Sequence, residues 1–421
     1  MREDFLNELI QNQVGSNATW GPYQPTKGDP YPLILHEAER QTGTKCDVYW
    51  VENGIPATFT LSAPGYAKRI IIWHSRHLEL SQYLRQLFNN DDPLEIIREL
   101  AGRQCLNAIA ELSLPKKNID FAIKTFLKSI NGQSIFNVRD DLLLERNLAP
   151  IDESYFVDWF YGLAHEIGHA VQVTDEIRNY TYLNDEALNQ ALEDALKVFD
   201  YYPEHIKQEA RNRLDSGRKN DFFGKDHIRS EVMADLNAIS ILSHSAYRAI
   251  HKSGNQLDIT TFVTETIIMA NIITLIERCE KMAQYAAKPP NDQGKMDFVL
   301  MPIAYHIRVG SIYGYLKVLL ATFETNLQEI QEERKEAAQD LMKKINVQYN
   351  PIIDAIDSGL SRAMKFTFDP QESNDKLFDQ FSIDLNSKVG GYFRLLAKNF
   401  CQLADSYGNE SKQLERLKSI I

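Results

Sequence analysis

Two hydrophobic periods alternate along this chain, and the change from one to the other divides it. "DVYWVENGIPATFTL" (47–61) and "AKRIIIWH" (67–74) are rich in β-branched and aromatic residues and flank the turn signal "SAPGY", which predicts a pair of strands. Ahead of them, Glu3 to Gln11 predicts a short helix, and the glycines and prolines of "GSNATWGPYQPTKGDPYP" predict a loop. After them, apolar positions recur every three or four residues in "SRHLELSQYLRQLF" and "DPLEIIRELAGRQCLNAIAEL", the spacing of helices with one buried face.

From Tyr155 onward the period is helical almost throughout. "SYFVDWFYGLAHEIGHAVQV" carries it without a proline, and "EALNQALEDALKVFDYY" and "HIRSEVMADLNAISILSHSAYRAIH" predict amphipathic helices on either side of a polar loop, "RNRLDSGRKNDFFGKD". Beyond Gly254 the pattern predicts long helices only, one ending at the breaker "KPPNDQGK" and another running from Phe298 past Lys344. The expected class is α+β, predominantly helical. Three parts are expected: 1–115 with the strand pair, 116–255 with the central helices, and 256–421 as a helical C-terminal region.

Composition narrows the function classes. In 421 residues, 43% hydrophobic and 25% charged residues are ordinary for a chain that buries a sizeable core. A net charge of −12 argues against a broad nucleic-acid-binding surface. "MREDFLNELI" lacks the apolar run of a signal peptide, and the later apolar stretches are too short or too interrupted for a bilayer span. Cys46, Cys105, Cys279 and Cys401 lie far apart without a C-x-x-C pair, which suits structural thiols in a reducing compartment. These readings together predict a cytoplasmic protein without a membrane span.

The candidate chemistry sits in "YGLAHEIGHAVQV". His165 and His169, at i and i+4, project from one helix face about one turn apart, so both imidazoles can reach one Zn²⁺. Glu166 adjoins the first histidine and can take a proton from a water that the metal activates. Its neighbours Leu163, Ala164, Ile167, Gly168, Ala170 and Val171 are uncharged, which suits a dry site. A helix carrying two histidines beside a glutamate by coincidence is the competing reading. A catalytic zinc needs a third protein ligand, and Glu231 in "SEVMAD" is the candidate. Asp235, four residues on, can accept a hydrogen bond from the non-ligating nitrogen of His165. The pair could equally be a solvated acidic edge, but the other face of that helix is apolar (Val232, Leu236, Ile239).

These two motifs carry a resemblance. H-E-I-G-H completed by a glutamate in an E-x-x-x-D setting resembles the gluzincin-type zinc metallopeptidases. The spelling E-V-M-A-D and the 61 residues between His169 and Glu231 look more like the CaaX-prenyl-protease and HtpX-like family, and its soluble relatives, than like thermolysin-like enzymes. The resemblance covers roughly Asp47 to His251. It implies a zincin-like catalytic domain, with one Zn²⁺ per chain on His165, His169 and Glu231, Glu166 as base and Asp235 as orienter. It also implies a protein or peptide substrate. The chain departs from that family in lacking a membrane span and in the long segment 90–150 before the motif.

Gluzincins also supply a donor for the developing oxyanion. "AYHIRVGSIYGY" offers Tyr305, His306 and Arg308, and His227 lies one turn before Glu231; polar residues reaching the edge of a core helix explain the former equally well. His74 and His77 are expected to be exposed at a strand end, and neither they nor His36 has a companion at ligand spacing. The leading expectation is a zinc metalloendopeptidase. The alternatives are a helical interaction or regulatory protein with a non-catalytic zinc site, and a sensor-controlled defence-type protease whose C-terminal helices recruit one substrate.

Overall fold

The computed structural model describes residues 3–14, 18–25, 31–52, 58–62, 67–75, 93–114, 118–130, 156–169, 184–216, 221–252, 292–326, 358–363, 374–379 and 388–421, with ten isolated positions between 262 and 356. The predicted helix at 75–88 falls almost wholly outside them, as do His77, the stretch 131–155 and the predicted helix beyond Asn326. Among the described residues the architecture is mostly helical with one small sheet, as the α+β expectation has it.

The sheet has four strands: β1 (Thr19–Pro22), β2 (Cys46–Glu52), β3 (Phe59–Leu61) and β4 (Arg69–His74), in the order β1-β2-β4-β3. The expected pair is therefore three strands. β4 runs parallel to β2, with Cys46 opposite Arg69 and Val51 opposite His74, and antiparallel to β3, with Phe59 opposite Ile72. The central position of β4 explains its run "RIIIWH": a strand covered on both faces reads as continuously apolar. Ile70 and Ile72 join Leu6 and Ile10 of α1 (Glu3–Val14) in one cluster, whereas Ile71 and Trp73 point into the main core. β3 lies at the sheet edge, beside the helix that carries the histidines.

Two elements sit where the sequence predicted a loop or nothing. β1 lies inside the Gly/Pro-rich stretch, and an edge position tolerates its Gly21 and Pro22. α2 (Tyr31–Thr42) begins with Pro32 in its first turn, where no intrahelical N–H is needed. α2 presents Glu37, fully buried, to Arg40 of its own helix and to Arg248.

α3 (Pro93–Ser113) and α4 (Ile119–Ile130) precede the motif helix α5 (Phe156–His169). α6 (Asp185–Val198) starts at Asn184, whose side chain accepts from the Ala187 N–H at 2.7 Å. α7 (Glu204–Asp215) continues into part of the expected polar loop. α8 (Lys225–Lys252) carries "SEVMAD", and α9 (Asp292–Asn326) carries "AYHIRVG". The short α10 (Asn374–Asp379), α11 (Lys388–Ser406) and α12 (Lys412–Ile420) close the chain.

α5 and α8 pack extensively against each other. Gly168, inside the H-E-I-G-H motif, is the reason: a Cβ there would stand 2.4 Å from the Ala234 carbonyl oxygen and 2.7 Å from its Cα. Backbone therefore meets backbone at the level where the two motifs face each other. Trp73 of β4 contacts Phe160 of α5, ring centroids 5.8 Å apart, tying the sheet to the same helix. The C-terminal helices share a core with the N-terminal half: Phe400 of α11 stacks on Phe126 of α4 at 4.4 Å, and Leu414 and Leu417 join them. Residues expected in three separate parts thus contribute to common cores.

Candidate metal centre

Helical spacing and the glycine contact bring the two motifs together. His165 Nε2 and His169 Nε2 stand 3.0 Å apart, and each lies 3.7 Å from Glu231 Oε2. Three donors on a tetrahedral zinc at about 2.0–2.1 Å would be about 3.3 Å from one another. The observed separations bracket that value, so a slight parting of the two imidazoles and a small turn of the Glu231 carboxylate satisfy it. The donor set, two imidazoles and one carboxylate, is one that zinc accepts.

Behind His165, Asp235 Oδ1 accepts from Nδ1 at 2.9 Å and from the Tyr161 hydroxyl at 3.3 Å. That bond places a proton on Nδ1 and turns Nε2 toward His169 and Glu231. Glu166 is positioned from the sheet. Thr60 of β3 lies 2.6 Å from the Glu166 carbonyl and 3.1 Å from its carboxylate, so its single hydroxyl proton serves one or the other.

Arg308 holds the floor of the site. It is 3% exposed, donates through Nε to Asp235 Oδ2 and through Nη1 to Glu277 Oε2, and has Nη2 3.1 Å from Asp235 Oδ1. Nη1 is also 3.2 Å from Glu231 Oε2. Its Nη2 is 3.3 Å from Nε2 and 3.4 Å from Nδ1 of His165. A point so nearly equidistant from both ring nitrogens lies over the imidazole face, because in the ring plane it would overlap a ring carbon. The Arg308 Nη2 therefore lies over the His165 ring and does not occupy the in-plane position of the Nε2 lone pair.

A cleft of about 180 Å³ opens above these groups, lined by His165, Glu166, His169, Phe222, His227, Ile228, Glu231, Glu277, Ala304, Tyr305 and Arg308. Its charges are unequal. Glu231 and Glu277 line it and Asp235 lies beneath, against the one guanidinium of Arg308 among the described lining residues. Burial opposes charge on His165, but Asp235 outweighs it and lifts the imidazole to about 9. Burial raises Glu166 to about 8, with His165 partly offsetting and Glu231 reinforcing the shift. Burial and the neighbouring His165 bring His169 down to about 3. Asp235, which burial alone would raise, is held well below the usual carboxylate range by Arg308 and His165.

The structure brings together His165, Glu166, His169, Glu231 and Asp235, with His227, Tyr305 and Arg308 around the same cleft. His306 is outside it. One position further round α9 than Tyr305, it faces α6, with its ring 5.9 Å from Phe199, which removes it as an oxyanion donor. His74 is buried, at 1% exposure, rather than exposed at the strand end, because β4 is an interior strand flanked by β2 and β3.

Two residues in contact with the site escape the sequence reading. Thr60 reaches Glu166 across 106 positions, and no local pattern marks it. Glu277 has a weak signal: Thr266, Ala270, Ile273 and Glu277 follow helical spacing, and the first three are buried, so a carboxylate falls on an apolar stripe.

Comparison with family models, with curated proteins and with solved structures gives no match to this chain. A functional reading therefore rests on the chemistry of the cleft.

Proposed function

We propose that the chain is a zinc-dependent metalloendopeptidase with a zincin-like catalytic domain, acting on a protein or peptide substrate in the cytoplasm. The observation that carries the proposal is the convergence of His165 Nε2, His169 Nε2 and Glu231 Oε2, with Asp235 fixing the His165 tautomer from behind. His165, His169 and Glu231 would hold one Zn²⁺ per chain. When bound, zinc supplies Lewis-acid activation of water and of the scissile carbonyl.

The chain's own residues do the rest. Glu166, in a buried environment that raises its proton affinity, accepts the proton of the attacking water and returns it to the leaving amine. Thr60 orients that carboxylate. Asp235 and Arg308 keep the His165 ring from turning. Arg308 is committed to Asp235 and Glu277, so its charge is already matched. Tyr305 and His227 are the donors around the cleft suited to a developing oxyanion.

The substrate class is supported by β3. It is the edge strand next to α5, half-buried along its length, and no strand pairs with its outer side among the described residues. An extended peptide can add there as a further strand and lay its backbone across the cleft. No helix among the described residues is long and apolar enough to cross a membrane. The net charge of −12 fits a protein rather than a nucleic-acid partner.

The test is Glu166→Gln, compared with wild type by proteome-wide labelling of new termini. New termini from wild type only, with zinc content near one per chain in both proteins, is the expected result. Zinc in both proteins and cleavage by neither would support the non-catalytic interaction protein instead.

A further inference from the structure

The geometry points to Glu277 as a positioning residue of the metal centre: it anchors Arg308 and, through Arg308, fixes the carboxylates of Glu231 and Asp235. The inference rests on the zinc reading above. Glu277 lies close enough to His165 and Glu231 to share a metal with them, but its carboxylate is engaged by Arg308, and it comes from a different helical stretch than either motif. Its Oε2 accepts from Arg308 Nη1, and its Oε1 lies 3.4 Å from Nη2. The same Nη1 is 3.2 Å from Glu231 Oε2, the oxygen that faces both imidazoles. One guanidinium is thus divided among three carboxylates, Asp235, Glu277 and Glu231, in a pocket that leaves it almost no solvent.

That division decides how available Glu231 is. With Glu277 present, Nη1 has its main partner elsewhere and only steadies Glu231. Without the Glu277 charge, Nη1 keeps Glu231 as its nearest partner, and a buried cation then competes for the oxygen a metal would use. Loss of Glu277 also makes the cleft less negative by one charge close to the donor atoms. Both effects act in the same direction, against binding of a dication. Met269, Ala270 and Ile273, at helical spacing before Glu277, are buried in the main core.

The experiment measures zinc affinity of the full chain by competition with a chromophoric chelator, together with the thermal unfolding of each zinc-free variant. Glu277→Gln keeps the shape and removes the charge. It should weaken zinc about 10- to 100-fold, the range found for partners that orient metal ligands. Glu277→Asp, which keeps the charge, should recover at least half of that loss on a logarithmic scale. In an Arg308→Gln background the further effect of Glu277→Gln should fall below about threefold, because the two residues act as one unit.

A residue that merely stabilised the fold would lower the zinc-free melting temperature and leave zinc affinity within about twofold, and that result would overturn the inference. An equal loss of affinity with and without Arg308, or no recovery with Glu277→Asp, would overturn it as well. If wild type itself bound no zinc, the failure would belong to the reading of the site, and the inference would fall with it.

Discussion

Gly168→Ala sets two physical effects against each other. Exchanging a helical glycine for alanine raises helix propensity by at most about 1 kcal/mol, so a helix judged in isolation would be stabilised. The packing predicts the opposite. The new Cβ would lie 2.4 Å from the Ala234 carbonyl oxygen, 2.7 Å from its Cα and 2.9 Å from its carbonyl carbon. All three are backbone atoms, so no rotamer change relieves the overlap. Reaching ordinary contact requires α5 and α8 to part by about 1 Å at this level. Overpacking of this kind costs about 1–3 kcal/mol, and its backbone character places it at the upper end, leaving a net loss of about 2 kcal/mol after the propensity gain. The displacement also reaches the site. The 2.9 Å bond between His165 and Asp235 spans the same two helices, and lengthening it by that amount takes it beyond hydrogen-bond reach. Denaturant unfolding of the zinc-free protein followed by circular dichroism should show the lower stability, and chelator competition should show zinc affinity reduced by tenfold or more. Stability equal to or above wild type, with unchanged zinc binding, would refute the close-approach argument.

Other substitutions separate the roles within the cleft. Asp235→Asn removes the charged acceptor behind His165 and should weaken zinc about 10- to 100-fold, read by the same competition assay. Thr60→Val deletes the hydroxyl that meets Glu166 and should lower kcat/KM about tenfold with zinc content unchanged, measured by peptide hydrolysis. His306→Ala should leave both zinc affinity and hydrolysis within about twofold of wild type, because His306 lies against Phe199 and away from the cleft. Burial raises the proton affinity of Glu37, but its bonds to Arg40 and Gln41 and the charge of Arg248 more than offset this and lower it overall. Its contribution is therefore full above the unfolded carboxylate value and is lost as pH falls through the lower folded value. Glu37→Gln should flatten that acid limb of a stability-versus-pH curve.

The parts of the site that were legible are those written in local spacing. His165 and His169 declare themselves at i and i+4, and Glu231 with Asp235 repeats that interval on a second helix. Helical period carries each pair without knowledge of the fold. Thr60 and Glu277 were not legible as site residues, because only the packing of β3 on α5 and the approach of Arg308 give them partners. The choice among Tyr305, His306 and Arg308 was open for the same reason: one helical stretch presents three polar side chains, and only its rotation against α6 and α8 sorts them. In the sheet, β-branched runs marked where strands would form, but β2 beside β4 in parallel is a long-range choice that a turn signal cannot encode. β1 and α2 were hidden by glycine and proline, whose tolerance at a sheet edge and in a first helical turn depends on position. The shared core of α4, α11 and α12 was invisible because its partners, such as Phe126 and Phe400, lie at opposite ends of the chain.

The central claim is that two histidine nitrogens and one glutamate oxygen hold a single zinc. X-ray absorption at the zinc edge, on protein reconstituted with one equivalent, tests it most directly. The account predicts nitrogen and oxygen neighbours at about 2.0–2.2 Å, two of them imidazoles, with one imidazole lost in His169→Ala. Sulfur neighbours at about 2.3 Å, or a first shell identical in wild type and His169→Ala, would contradict it.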